Sequence, residues 1–288
     1  MTDFVKRKID VTFRMGEGET GEKPGPIIKI SGLRVATRTE YYNAAIQAEC
    51  QIRIYGLKQS LMNYLSGTGY GGTEIRRNTV IVEAGNEGGV ISTVYQGEIR
   101  YSYADYAGAP EVYLNVQCYA ALVAATKPEE SVSYKGATDV ATIMQGLAKK
   151  MVLAFENDGV NVKLTDQHLK GTALDQVKQC AQAANIDYSI EFGKLVIFPK
   201  GQARKKVTPV VISKETGMVG YPATSSQGLS IVTVFNPSLV VGGRIEIRSD
   251  ITTAQGEWVI AGINHVLESE LPNGAWFSQI MCRRPPQE

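Results

Sequence analysis

Residues Gly16 to Gly21, GEGETG, carry glycines at the spacing that wraps a pyrophosphate in dinucleotide-binding loops. That use requires the loop to open directly into a helix whose N-terminal amides hold the anion. Here EKPGP follows, and Glu17, Glu19 and Glu22 would repel phosphate. The stretch, with the surrounding loop 16–26, therefore reads as a mobile hairpin tip. Histidine occurs twice, His168 in a polar loop and His265 in the middle of a strand, with no H-x-x-x-H pair, no H-E-x-x-H and no cysteine at ligand spacing. Triads assemble in space, so one histidine could serve a nucleophile, but no G-x-S-x-G elbow accompanies either. Both read as structural.

Carboxylates cluster in the last strands as Glu257, Glu268 and Glu270, which raises the glycosidase chemistry of two paired acids. No spacing selects two of them, and they read as charges on a solvated strand face. The basic runs KRK (6–8), RR (76–77) and RKK (204–206) read as solvated faces or interface rims. Tyr70, Tyr101, Tyr103, Tyr106 and Tyr113 form a loose aromatic series whose alternation points to a sheet surface or subunit contact before base stacking. The sequence assigns no catalytic, cofactor-binding or metal-ligating residue, and no cofactor is expected.

The elements that would position such residues follow from composition and period. The chain has 288 residues, 43% of them hydrophobic, enough for two or three domains with real cores. Thirty basic and 29 acidic side chains leave a net charge of +1, so the electrostatic footprint of a nucleic-acid binder is missing. Cys50, Cys118, Cys180 and Cys282 show no C-x-x-C spacing, which argues against a zinc site or disulfide scaffold and for reduced thiols in a cytosol-made protein. No apolar run of about 18 residues is present, so no membrane span is expected, and the N-terminus lacks the apolar core of a secretion signal.

From Phe4 to about Leu122 the period is two: Val5, Ile9, Val11 and Phe13 alternate with polar residues, and Ile46, Ala48, Cys50, Ile52 and Ile54 share one face. Further strands are expected at 27–30, 33–42, 79–83, 90–99 and 112–119, with one helix marked by Leu57, Leu61, Met62 and Leu65. The character then changes. Thr138 is expected to cap a helix carrying Val140, Ile143, Met144, Leu147, Ala148 and Met151, a short strand follows at Val160 to Leu164, and Thr172 with Asp175 forms a capping box for a second helix. A hairpin turning at Phe192-Gly193 closes this segment, GQARKKVTP reads as a basic linker, and the period returns to two in LSIVTVFN, GRIEIRS, GEWVIAGINHVLES and AWFSQIMCRR. The fold class is mainly β with an α+β insert: β domains at 1–126 and 204–288 flank a small α+β domain at 127–203. FNPSLVVGGRIEIRSD, 235–250, invests a proline and two glycines in one reversal, the means by which a turn aims a rigid strand.

The order of these parts resembles the bacteriophage tail hub (baseplate hub) protein family. The resemblance is carried by Tyr55-Gly56-Leu57 before the short helix, Tyr95-Gln96-Gly97-Glu98-Ile99, Pro110 to Val116, the FNPSLVVGG turn, and GEWVIAGINHVL ahead of GAWFS. It spans nearly the whole chain, and departs from larger hubs in lacking their additional domains. It implies that the two β domains are tail-tube-like barrels, and that three chains form a pseudo-sixfold ring joining the sixfold tail tube to the threefold central spike around a DNA channel. The implied protein is a non-enzymatic structural component of the virion tail or baseplate, assembled in the host cytoplasm. Its implied partners are two further copies of itself, a tail tube or distal tail protein, the central spike protein and other baseplate proteins, without sequence-specific nucleic-acid binding. The alternative reading is a tail-associated, peptidoglycan-degrading enzyme.

Overall fold

A computed structural model describes residues 5–17, 23–43, 46–67, 77–225 and 228–285. Glu19, Glu22, Tyr70 and Arg76 lie outside the described residues, as does the tip of GEGETG. The protein is mainly β. The chain divides into two compact units, one formed by Met1–Glu40, Ala48–Leu122 and His265–Trp276, the other by Tyr41–Gln47, Val123–Asn264 and Phe277–Glu288.

In the first unit, strands β1 (Arg7–Glu17), β2 (Lys23–Ile30), β3 (Val35–Tyr42) and β4 (Glu49–Tyr55) precede helix α1 (Gln59–Leu65). Strands β5 (Thr79–Asn86), β6 (Ile91–Asp105) and β7 (Tyr113–Tyr119) follow. The hydrogen-bonded order is β3-β4-β7-β6-β5-β1-β2. Period two sets the burial. Ile9, Val11, Phe13 and Met15 of β1 face inward, as do Cys50, Ile52 and Ile54 of β4, whereas Ile46 is 61% exposed because it precedes the strand. Helix α1 buries Met62 and Leu65.

The second unit opens with α2 (Leu122–Thr126), which begins at the boundary, and β8 (Val132–Asp139). Helix α3 (Val140–Lys150), β9 (Ala154–Asn157), β10 (Lys163–Leu169) and α4 (Ala173–Ala184) come next, then the hairpin β11 (Ile186–Glu191) and β12 (Lys194–Pro199). Strand β8 pairs β10, β9 lies parallel on β12, and both helices pack on these strands around Ile143, Leu147, Val177, Cys180 and Ile197. Thr172 and Asp175 form the expected capping box, and Phe192 and Gly193 turn the hairpin with φ of 50° and 73°. Three local expectations are corrected. The cap of α3 is Asp139, the last residue of β8, whose carboxylate accepts a hydrogen bond from Ala141 N–H at 2.7 Å, because the strand runs one residue past Thr138 and the helix begins at Val140. Val160 lies in a loop rather than a strand, fixed by Asn157, which both donates to and accepts from its backbone. His168 sits in β10, not in a loop, opposite Ser133 of β8.

The remaining strands are β13 (Val210–Ile212), β14 (Met218–Ser225), β15 (Gly228–Val234), β16 (Arg244–Ile247), β17 (Gly256–Ser269) and β18 (Trp276–Arg283). Strand β16 pairs β13 in parallel and β17 in antiparallel fashion, while β14 pairs β15, and β15 pairs β18.

Among the described residues these sheets are open, not closed into barrels. Their last strands carry the reason: β2 contains Pro24 and Pro26, and β14 contains Pro222 beside a break in register. A proline has no N–H to extend a ladder, so such strands end a sheet.

Candidate functional site

The turn at 235–243 is built around one buried arginine. Strand β15 ends at Val234, Asn236 Oδ1 accepts from Ser238 N–H at 2.9 Å, and Leu239 N–H closes onto Asn236 C=O at 3.3 Å. Gly242 then takes φ of 76°. A Cβ there would stand 3.0 Å from the Arg204 stem and 3.0 Å from the Phe198 ring, so glycine meets both a backbone and a space requirement. Gly243 is not in the left-handed region. A Cβ at that position would lie 2.9 Å from Val240 C=O, so its requirement is steric alone.

Arg204, expected in a solvated basic run, has a side chain only 6% exposed. Its Nη1 donates to Glu191 at the end of β11 and to Val241 C=O at 3.3 Å, and its backbone N–H donates to Gly242 C=O at 2.8 Å. Glu156 of β9 stands 3.7 Å from Nη2 and Asp158 3.9 Å from Nε. Asp158 also accepts from the backbone N–H groups of Lys205 and Lys206 at 3.1 and 3.2 Å, and Asp187 from Gly201 N–H at 3.0 Å. The basic linker is thereby fixed between the α+β segment and the 235–243 turn. Burial pushes the Glu191 carboxyl up, against the opposing pull of Arg204 and Ser189. The sequence signal was the lone arginine followed by two lysines; which of the three cations is buried depended on contacts with Glu191 and Asp158 that lie 13 and 46 residues away.

A second feature is the outward face of β4, β6 and β7. Arg53, Asn115 and Tyr103 form one cross-strand row, and Tyr55, Tyr113 and Asp105 the next. Arg34 stacks on Tyr55 at 4.3 Å, Arg53 on Tyr113 at 5.5 Å and Arg100 on Tyr119 at 5.8 Å. The Tyr55 and Tyr113 rings are 5.2 Å apart, and Tyr101 and Tyr103 stack at 6.1 Å. The expected sheet-surface series of Tyr101, Tyr103 and Tyr113 is thus one continuous face, joined by Tyr55 and Tyr119.

The residues considered for catalysis are tied up elsewhere. Glu257 is exposed and lies 3.6 Å from Arg244. Glu268 accepts from Ala275 N–H at 2.9 Å, and Glu270 pairs with Lys6 at 2.8 Å. His168 Nδ1 meets the Ser133 hydroxyl at 2.9 Å on an exposed ribbon, while His265 is 4% exposed in β17, its pKa lowered by burial to about 4. Among the described residues no group of three His, Cys, Asp or Glu side chains is placed to hold a metal ion. No described helix is long and apolar enough to cross a membrane.

Comparison with known structures places this architecture among tail proteins. The 43 kDa tail protein of prophage MuSo2 from Shewanella oneidensis aligns with a TM-score of 0.62 at 10% identity, covering 96% of this chain and 98% of that one. The tail protein from Neisseria meningitidis MC58 aligns with a TM-score of 0.62 at 11% identity over 96% and 97%. The E. coli c3393 protein, a type VI secretion component described as structurally similar to the T4 tail proteins gp27 and gp5, aligns with a TM-score of 0.58 at 11% identity over 89% and 75%. At these identities the likeness is one of fold. No curated protein sequence matches the chain. A family model described as Baseplate hub gp41 matches residues 8–274, most of the chain, and on that match the chain belongs to the baseplate hub gp41 family of phage tail structural proteins.

Proposed function

We propose that the chain is a homotrimeric hub in which two tube-like β modules, 1–126 and 204–288, flank an α+β module, 127–203. Three copies then supply six β walls in a pseudo-sixfold ring, matching a sixfold tail tube or distal tail protein on one side and a threefold central spike on the other. The ring surrounds the passage for DNA, contacts other baseplate proteins, and is assembled in the host cytoplasm before incorporation into the virion. The observation that carries this reading is the repetition within one chain: a run of antiparallel pairings over β1 to β7 and a second run of paired strands over β13 to β18, with a family match over residues 8–274. Two β modules per chain are what a threefold assembly needs to meet a sixfold one.

The test is the mass of the purified full-length chain by light scattering, with particle images of the same sample. Three copies in a ring burying about 2,000 Å² or more per assembly contact support the proposal. A monomer at tens of micromolar overturns it. The enzymatic alternative has no observation in its favour, and peptidoglycan cleavage that falls in Glu257→Gln would restore it.

A further inference from the structure

We infer that copies of this chain pack head to tail, with the tyrosine–arginine face of the first unit in one copy seated on an acidic groove in the second unit of the next. This rests on the homotrimer reading above and identifies its contact surfaces.

The face has the composition of an interface core. Strands β4, β6 and β7 contain no lysine, and their outward positions carry tyrosines and arginines stacked on one another. Tyrosine contributes large area at low entropic cost, and a guanidinium held on a ring is already oriented and weakly hydrated. Arg53 and Arg100 make no ion pair among the described residues. Two acids of the same face are engaged by other donors: Asp105, which Arg53 stabilises only electrostatically, accepts from the Tyr113 hydroxyl at 2.8 Å and Ala107 N–H at 2.9 Å, and Glu49 accepts from Gln51 and Gln117. A fixed guanidinium with unused donors matches a planar carboxylate.

The second unit holds the complement. A groove at the end of β16 and the start of β14 is lined by Lys214 and Arg248 against Glu215, Glu246 and Asp250, two cations against three carboxylates. Arg248 is engaged by Glu246 at 2.8 and 3.2 Å. Glu215 accepts from the Ser213 hydroxyl at 2.7 Å, Asp250 has no ion pair among the described residues, and Tyr221 stands beside them 70% exposed. Because β2 and β14 end their sheets with prolines, strand-to-strand extension between copies is disfavoured and contact falls to faces and grooves. Nucleic acid suits the tyrosine–arginine face less well: Glu49, Glu98 and Asp105 share it and cancel the extended positive field that a phosphate backbone needs, whereas a single carboxylate needs only one guanidinium. A contact that uses one surface from each unit is heterologous, and three such contacts close a ring.

The experiment is a charge exchange in the full-length chain, with far-UV circular dichroism as the check on folding. Arg53→Glu and Asp250→Arg should each weaken the trimer by about tenfold or more, and the double variant should recover most of that loss, all read by light scattering across concentration. Tyr103→Ser, which changes no charge, should weaken it as well. Trimers unaffected by all of these substitutions would overturn this contact while leaving the homotrimer standing. A monomeric wild type would remove the homotrimer and the contact together. Loss of DNA binding in Arg53→Glu with trimer mass unchanged would assign the face to nucleic acid and also overturn the inference.

Discussion

Arg204 and Glu191 meet in a space nearly closed to water, each side chain 6% exposed, where the α+β segment touches the turn that aims β16. A buried pair of this kind is costly to break from one side, because the remaining charge loses its partner without regaining solvent. Arg204→Met leaves Glu191, Glu156 and Asp158 without the guanidinium between them and should destabilise the chain by about 3–5 kcal/mol. The double variant Arg204→Met, Glu191→Leu should lose clearly less. Urea unfolding midpoints read both, and equal losses would show that the pair is not energetically coupled.

Gly242 and Gly243 should differ in kind. Gly242→Ala combines a left-handed backbone with contacts at 3.0 Å to Arg204 and Phe198, so a loss of about 2 kcal/mol or more is expected. Gly243→Val should also destabilise, but through the approach to Val240 C=O rather than through backbone angle. Melting temperatures of the two variants check this, and a neutral Gly242→Ala would mean the Arg204 stem can move aside.

His265 sets an acid dependence. Its pKa falls from 6.5 to about 4 through burial, so the unfolded chain binds the proton more readily than the folded one. The stability involved is fully present above pH 6.5 and is lost as pH falls toward 4, with about 3 kcal/mol at stake. Urea midpoints measured from pH 7 to pH 4 should fall more steeply in the wild type than in His265→Gln. Parallel curves would place the proton elsewhere.

All four cysteines are buried and free, and Cys50 faces Cys118 across β4 and β7. Burial pushes Cys180 and Cys282 up to about 12 and raises Cys50 and Cys118 above the ordinary thiol range. Because the thiolate is the reactive form, a disulfide reagent at pH 8 should label none of them in the native chain and all of them in denaturant. Fast native labelling of any one would remove it from the core.

The sequence by itself determined what repeats locally. Alternation predicted the strands of the first unit, since one face of each is buried; the Thr172–Asp175 box and the Phe192-Gly193 turn were legible because their hydrogen bonds and backbone angles involve neighbours only. The ordered series from Tyr55-Gly56-Leu57 through FNPSLVVGG to GAWFS already pointed to the tail hub family. Tertiary structure alone decided which cations are solvated, and it placed Arg204 among carboxylates from β9 and β11 that no spacing links to it. It also moved the cap of α3 to Asp139, because β8, held on β10, runs one residue past Thr138 before the helix begins at Val140. The sheets stay open at β2 and β14, whose prolines stand in the sequence, but that these two strands come last depends on pairings made in space, while periodicity reports only which side of a strand is apolar.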